Sequence, residues 1–198
     1  MIFFVIFVAK KIRMIQLENE EKILLLKIVR SVIEKILSNK LEMSFNYPKK
    51  FETKCDVFLL LKEREKIIAS IGFLENSKSL LENLKNCAQI MSKKRKTKFP
   101  LTSDILKKLS IEISLIKNLK EIQSQNEIII GQNGLYVKAE KKTGIILPQY
   151  INKHTSINNI FDSLLQKSNI TKDDFPNLKI FSFEIESFSE SGTFQKTL

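Results

Sequence analysis

Residues 56–72 read Asp-Val-Phe-Leu-Leu-Leu-Lys-Glu-Arg-Glu-Lys-Ile-Ile-Ala-Ser-Ile-Gly. Two largely apolar stretches, 56–61 and 67–71, flank an unbroken charged stretch from Lys62 to Lys66. Short apolar runs on either side of a polar break are the pattern of two strands joined by a turn. Successive side chains in a strand point to opposite faces. The second run is therefore expected to be a central strand, with Ile67 and Ile71 on one face and Ile68 with Ser70 near the other.

Working outward, residues 18–38 carry Leu25, Val29, Val32 and Ile36 at helical spacing. Glu18, Glu20 and Glu21 stand in the first turn, where the helix dipole favours acidic groups. Ser79 followed by Glu82 is a capping-box pattern that opens a second helix bearing Leu80, Leu84, Cys87, Ala88 and Met91. Cys87 on that stripe reads as a small core residue rather than a nucleophile. Thr102 or Ser103 caps a short helix carrying Ile105 and Leu106. Leu109, Ile111, Ile113 and Leu115 then alternate with Ser110, Glu112 and Ser114, the mark of a strand with one wet face.

Residues 117–127 are polar and weakly periodic, and read as a hinge. Residues 156–167 form a helix, Thr171 and Asp174 a second capping box, and Phe181, Phe183 and Ile185 the inward face of a last strand. The tail from Ser187 is polar and expected to fray. Strands and helices mix without regular βαβ alternation, so the fold class is α+β with mainly antiparallel sheets. The expected division is an N-terminal extension over 1–16, a first lobe over 17–120, a strand-rich second lobe over 121–190 and a tail over 191–198.

The chain has 198 residues, 43% apolar and 28% charged, with a formal net charge of +11. That is enough apolar material for a real core, and it excludes a disordered chain. The positive charge favours acidic partners such as nucleic acid. Lys93, Lys94, Arg95 and Lys96, with Lys98 close behind, form the densest basic run. It reads either as a phosphate-contacting patch or as cations gathered at a helix C-terminus. Two cysteines and a single histidine offer no zinc-ligand spacing and no disulfide framework, so no metal or cofactor is expected and the setting is read as cytoplasmic. Residues 2–9 are apolar but far short of the ~20 residues a membrane-spanning helix needs. They read as an extra strand, as an over-extended gene start with Met14 as the natural first residue, or as an edge strand or self-association surface, and a homodimer is one outcome of the last.

The opening stretch resembles the strand-turn-strand at the heart of the AMMECR domain family, where Gly-x-Phe-Val-Thr-Leu is followed by a turn and then Leu-Arg-Gly-Cys-Ile-Gly. Val57, Phe58, Leu61, Ile67, Ile71 and Gly72 keep the apolar frame. Further short elements match in the family's order: Lys98 to Leu101, Ile130 to Leu135, Ile145 to Gln149, and the terminal Phe188-Ser189-Glu190. The coverage is roughly residues 20–190. The resemblance implies two α+β lobes with helices packed on their sheets. It also implies a cleft between them lined by the Arg-Gly-Cys-Ile-Gly strand. The Arg, Cys and His of the family pattern fall on Ile68, Ser70 and Asn133. Ile68 cannot supply the charge that would activate a nucleophile at Ser70, so no catalytic residue is assigned.

On this reading Ser70, Lys98, Asn133, Gln149 and Glu190 are the candidate cleft residues. The Gly131 to Gly134 turn lacks the spacing of a phosphate loop and needs positive φ at one or both glycines. The expected role is a cytoplasmic binding or accessory protein for an unknown small molecule or protein partner. The alternatives are an enzyme, which the resemblance links to a pathway with Memo-like and radical-SAM proteins, and a basic nucleic-acid-associated protein.

Overall fold

The computed structural model describes residues 15–38, 44–75, 78–93, 100–151 and 155–190, and the backbone of 194–196. The apolar run 2–9, the cations Lys94 to Lys96 and Lys98, and His154 lie outside the described residues.

Helix α1 (Asn19–Ser38) buries Leu25, Ile28, Val29, Val32 and Ile33 along one stripe, and α2 (Leu80–Lys93) buries Leu80, Leu84, Cys87, Ala88 and Met91. The Ser79 hydroxyl accepts a hydrogen bond from the Glu82 amide at 3.2 Å, which holds the start of α2. Short helix α3 (Ser103–Leu106) is capped by Thr102, and α4 (Ile157–Lys167) by Ser156. The strands are β1 (Val57–Glu63), β2 (Lys66–Phe73), β3 (Ser110–Glu121), β4 (Gly134–Ala139), β5 (Lys142–Ile146), β6 (Leu178–Ser189) and β7 (Phe194–Lys196). All pair antiparallel in one sheet of order β2-β1-β3-β6-β4-β5, with β7 on β6.

Strand β2 is at the edge of that sheet, not at its centre. Its faces also differ from the simple alternation. The β1–β2 register slips by one residue between Leu61 and Lys62, so that Leu61 opposes Ala69 while Lys62 opposes Ile67. Ile68 is the extra residue of this bulge, and everything after it changes side. Ile71 therefore joins Ile68 and Phe73 on the first core, while Ile67 sits on the opposite face. Ser70, cross-strand from Leu60, shares the face of Ile67.

One sheet face carries the helices. Val57, Leu59, Leu61, Ile111, Ile113, Leu115 and Phe188 pack beneath α1 and α2, and Ile15 and Leu17 join the same core. Leu135, Val137, Ile160, Phe161 and Leu164 form a second core under α4. Long strand β6 serves both, with Phe188 in the first and Ile180 against the second. It does not fray after Ser187, because Ser187 to Ser189 are buried in the ladder. The segment 117–127 is strand as far as Glu121, interrupted by a bulge at Lys117–Lys120 where Asn118 takes a φ of 52°.

The other sheet face bears a third cluster, with Phe58, Leu60, Ile116, Tyr136, Leu147, Phe183 and Ile185, and among the described residues none of helices α1 to α4 contributes to it. In a flat sheet β2 and β4 would stand four strand spacings apart, about 19 Å at ~4.8 Å each. Yet Lys138 of β4 makes an ion pair with Glu75, just beyond β2, and the Tyr136 hydroxyl lies 3.5 Å from the same carboxylate. The sheet therefore curls, and the third cluster is on its concave side.

Candidate functional site

Strand register places the groups of the concave face. Ser70 opposes Leu60, and Leu60 opposes Glu112 of β3. Cross-strand neighbours share a face, so Ser70, Leu60 and Glu112 form one row, its ends about 10 Å apart at two strand spacings. Ser70 is exposed at the sheet edge. Glu112 is not on a wet face: its side chain is only 12% exposed, because the curl encloses it. Ser114 on the same face is fully buried and bonds Ser187 at 2.7 Å.

Glu112 is the centre of a polar group. Its Oε2 accepts from Lys62 Nζ at 3.1 Å, and its Oε1 accepts from Gln149 Nε2 at 3.2 Å. Gln149 reaches it from the turn Pro148–Tyr150, which follows β5 and crosses the open side of the third cluster through Leu147 and Tyr150. Tyr150 is half-buried beside these groups. Loss of water, then the Glu112 charge, push its hydroxyl up to about 12, so the phenol stays protonated at neutral pH.

The structure thus brings Ser70 and Gln149 to one face and leaves Asn133 and Glu190 elsewhere. The Asn133 carbonyl oxygen accepts from the Ile129 amide at 2.8 Å and closes its own loop, in which Gly131 has a φ of 85° while Gly134 begins β4. Glu190 is a structural clamp. Arg30 of α1 grips its carboxylate with Nε and a terminal nitrogen, and the Ile111 amide donates to it at 2.8 Å. The same guanidinium donates to the Leu109 carbonyl at 2.9 Å, tying α1 to the start of β3 and the end of β6. Lys93 closes α2 as an exposed residue.

The sequence reading missed Lys62, Glu112 and Tyr150. Glu112 and Ser114 flanking Ile113 look like solvent positions, and only the curl makes that face an interior. The available signal was the five-residue match Ile145 to Gln149, which places a polar side chain shortly after the end of an apolar strand segment.

Neither thiol is poised for chemistry. Burial, followed by the charge of Asp56, raises Cys55 to about 12, and burial alone does the same for Cys87. Among the described residues no group of three His, Cys, Asp or Glu could hold a metal ion, and no helix is long and apolar enough to cross a membrane.

The AMMECR1 family model matches residues 26–188. The chain belongs to the AMMECR1 family. Two curated relatives without a descriptive name are similar over nearly their whole length. One, from Methanocella arvoryzae, is 26% identical over 187 residues, covering 88% of this chain and 93% of its own. The other, from Methanothermobacter thermautotrophicus, is 24% identical over 188 residues, covering 89% and 97%. The crystal structure of an uncharacterised protein from Pyrococcus horikoshii has the same fold, with a TM-score of 0.71 at 19% identity, covering 91% of this chain and 98% of that one.

Proposed function

We propose that this AMMECR1-family protein is a non-catalytic, cytoplasmic binding or accessory protein whose recognition surface is the rim of the concave sheet face. The observation that carries this reading is the row Ser70–Leu60–Glu112, met from across the curl by Gln149. It is a set of polar groups around a largely buried carboxylate, flanked by the apolar side chains of the third cluster, and such combinations favour small-molecule recognition. A hydrolytic role finds less support, since Ser70 has no charged residue beside it at Ile68 and Ala69. The two free cysteines, Cys55 and Cys87, suit a reducing compartment.

A saturation-transfer NMR screen of polar metabolites against the protein and a Ser70→Arg variant tests the reading. Binders that lose contact with the variant support it, because the long side chain would cover the rim. Binders indifferent to the variant, or turnover of any compound during the screen, overturn it.

A further inference from the structure

We infer that the Glu112 carboxylate is the anchor for a ligand with a positively charged nitrogen head group, and that Gln149 occupies the anchor in its absence. The inference rests on the reading of the concave face as the recognition surface, and adds the chemical class of what it takes.

Three features support it. The carboxylate is largely buried but divided: Lys62 holds Oε2, and the far oxygen is left to a neutral amide. That amide belongs to an exposed side chain on a short turn, whereas the Lys62 side chain is only 15% exposed on β1. Gln149 is therefore the replaceable partner and Lys62 the fixed one. An outside donor must compete with an amide already tethered beside the carboxylate. A second neutral amide would offer nothing stronger. An ammonium or amidinium nitrogen would, because charge-assisted bonds to carboxylate are shorter and roughly twice as strong. Lys62 does not forbid a second cation, since it occupies Oε2 and a carboxylate offers about four acceptor sites, leaving Oε1 free to accept another donor.

The experiment titrates butylamine and its neutral relative butyramide into the labelled protein, reading the Gln149 side-chain amide and the Glu112 backbone amide by NMR. The amine is expected to shift both signals and the neutral amide neither. Gln149→Ala removes the internal competitor, so the amine should bind about 2- to 10-fold more tightly, the range spanned by one net hydrogen bond. Glu112→Gln should abolish the shift while the remaining spectrum stays folded. Weaker binding to Gln149→Ala, equal response to both probes, or no response of either signal at saturating amine overturns the inference. An anionic or neutral metabolite found at the Ser70 rim by the broader screen would overturn it too, while leaving the surface assignment standing.

Discussion

Gly72 is the penultimate residue of β2, paired with Phe58, and its lack of a side chain is what leaves room for the Phe58 ring. A Cβ built at Gly72 would stand 2.5 Å from the Phe58 ring. Phe58 is itself 7% exposed within the third cluster, so the ring has little room to yield. Gly72→Ala is expected to cost about 1 to 3 kcal/mol by overpacking, measured by urea unfolding. A cost near zero would mean that the ring is free to move. Ile68 illustrates what a residue-by-residue reading cannot supply. Its apolar character is plain, but its membership of a bulge depends on how Leu61 and Lys62, about six or seven residues earlier, pair across it, so simple alternation puts Ile71 and Ser70 on the wrong faces.

At the scale of elements, α1 is fastened to the sheet by a buried charge. Glu186 of β6 is 4% exposed, with Lys22 of α1 at 2.8 Å and Lys117 of β3 on its other oxygen. The ammonium of Lys22 also lies 6.0 Å from the Phe188 ring centre. Burial pushes the Glu186 pKa up, but the hydrogen bonds and charges of Lys117 and Lys22 outweigh it and hold the net value below the usual range. A carboxyl whose folded pKa is depressed adds stability that is fully present above its unfolded pKa, ~4.3 for Glu. That stability is lost as pH falls through the folded value. The stability difference between the protein and Glu186→Gln should thus be constant near neutrality and shrink below about pH 4.3. A difference independent of pH down to acid unfolding would contradict the pairing. Replacing Lys22 with Met leaves a buried charge short of one partner, and should cost up to about 3 to 5 kcal/mol.

The elements themselves were legible. The helices α1, α2 and α4, the caps at Ser79 and Thr102, and the capping box of Thr171 with Asp174 stand where periodicity and local chemistry put them. Glu184 and Glu186 do share a strand face, but α1 covers it at Glu186. Nothing local announces that cover, because it depends on which helix lands on which strand.

For the whole molecule, the curl decides what is interior. It gathers Ser70, Lys62, Glu112 and Gln149 from two strands on one side, one in the middle and a turn at the far end. No linear pattern contains that gathering. The pair Glu75–Lys138 spans the open side, with side chains 34% and 39% exposed. Exposed pairs are worth little, so Glu75→Gln should lower global stability by under about 1 kcal/mol. Its signature should instead be local: faster amide hydrogen exchange in β2 and β4 together, with α1 and α2 unchanged. Faster exchange in β2 alone would show that the two ends are not coupled. The central claim is that recognition happens on the concave face at the Ser70–Glu112 row. Its most direct test is backbone amide chemical-shift mapping with any metabolite that the screen identifies. The account predicts that the amides of Ser70, Glu112 and Gln149 shift first and saturate together. Shifts centred on the end of α2 around Lys93, or on the Ile129–Asn133 loop, with that row silent, would contradict it.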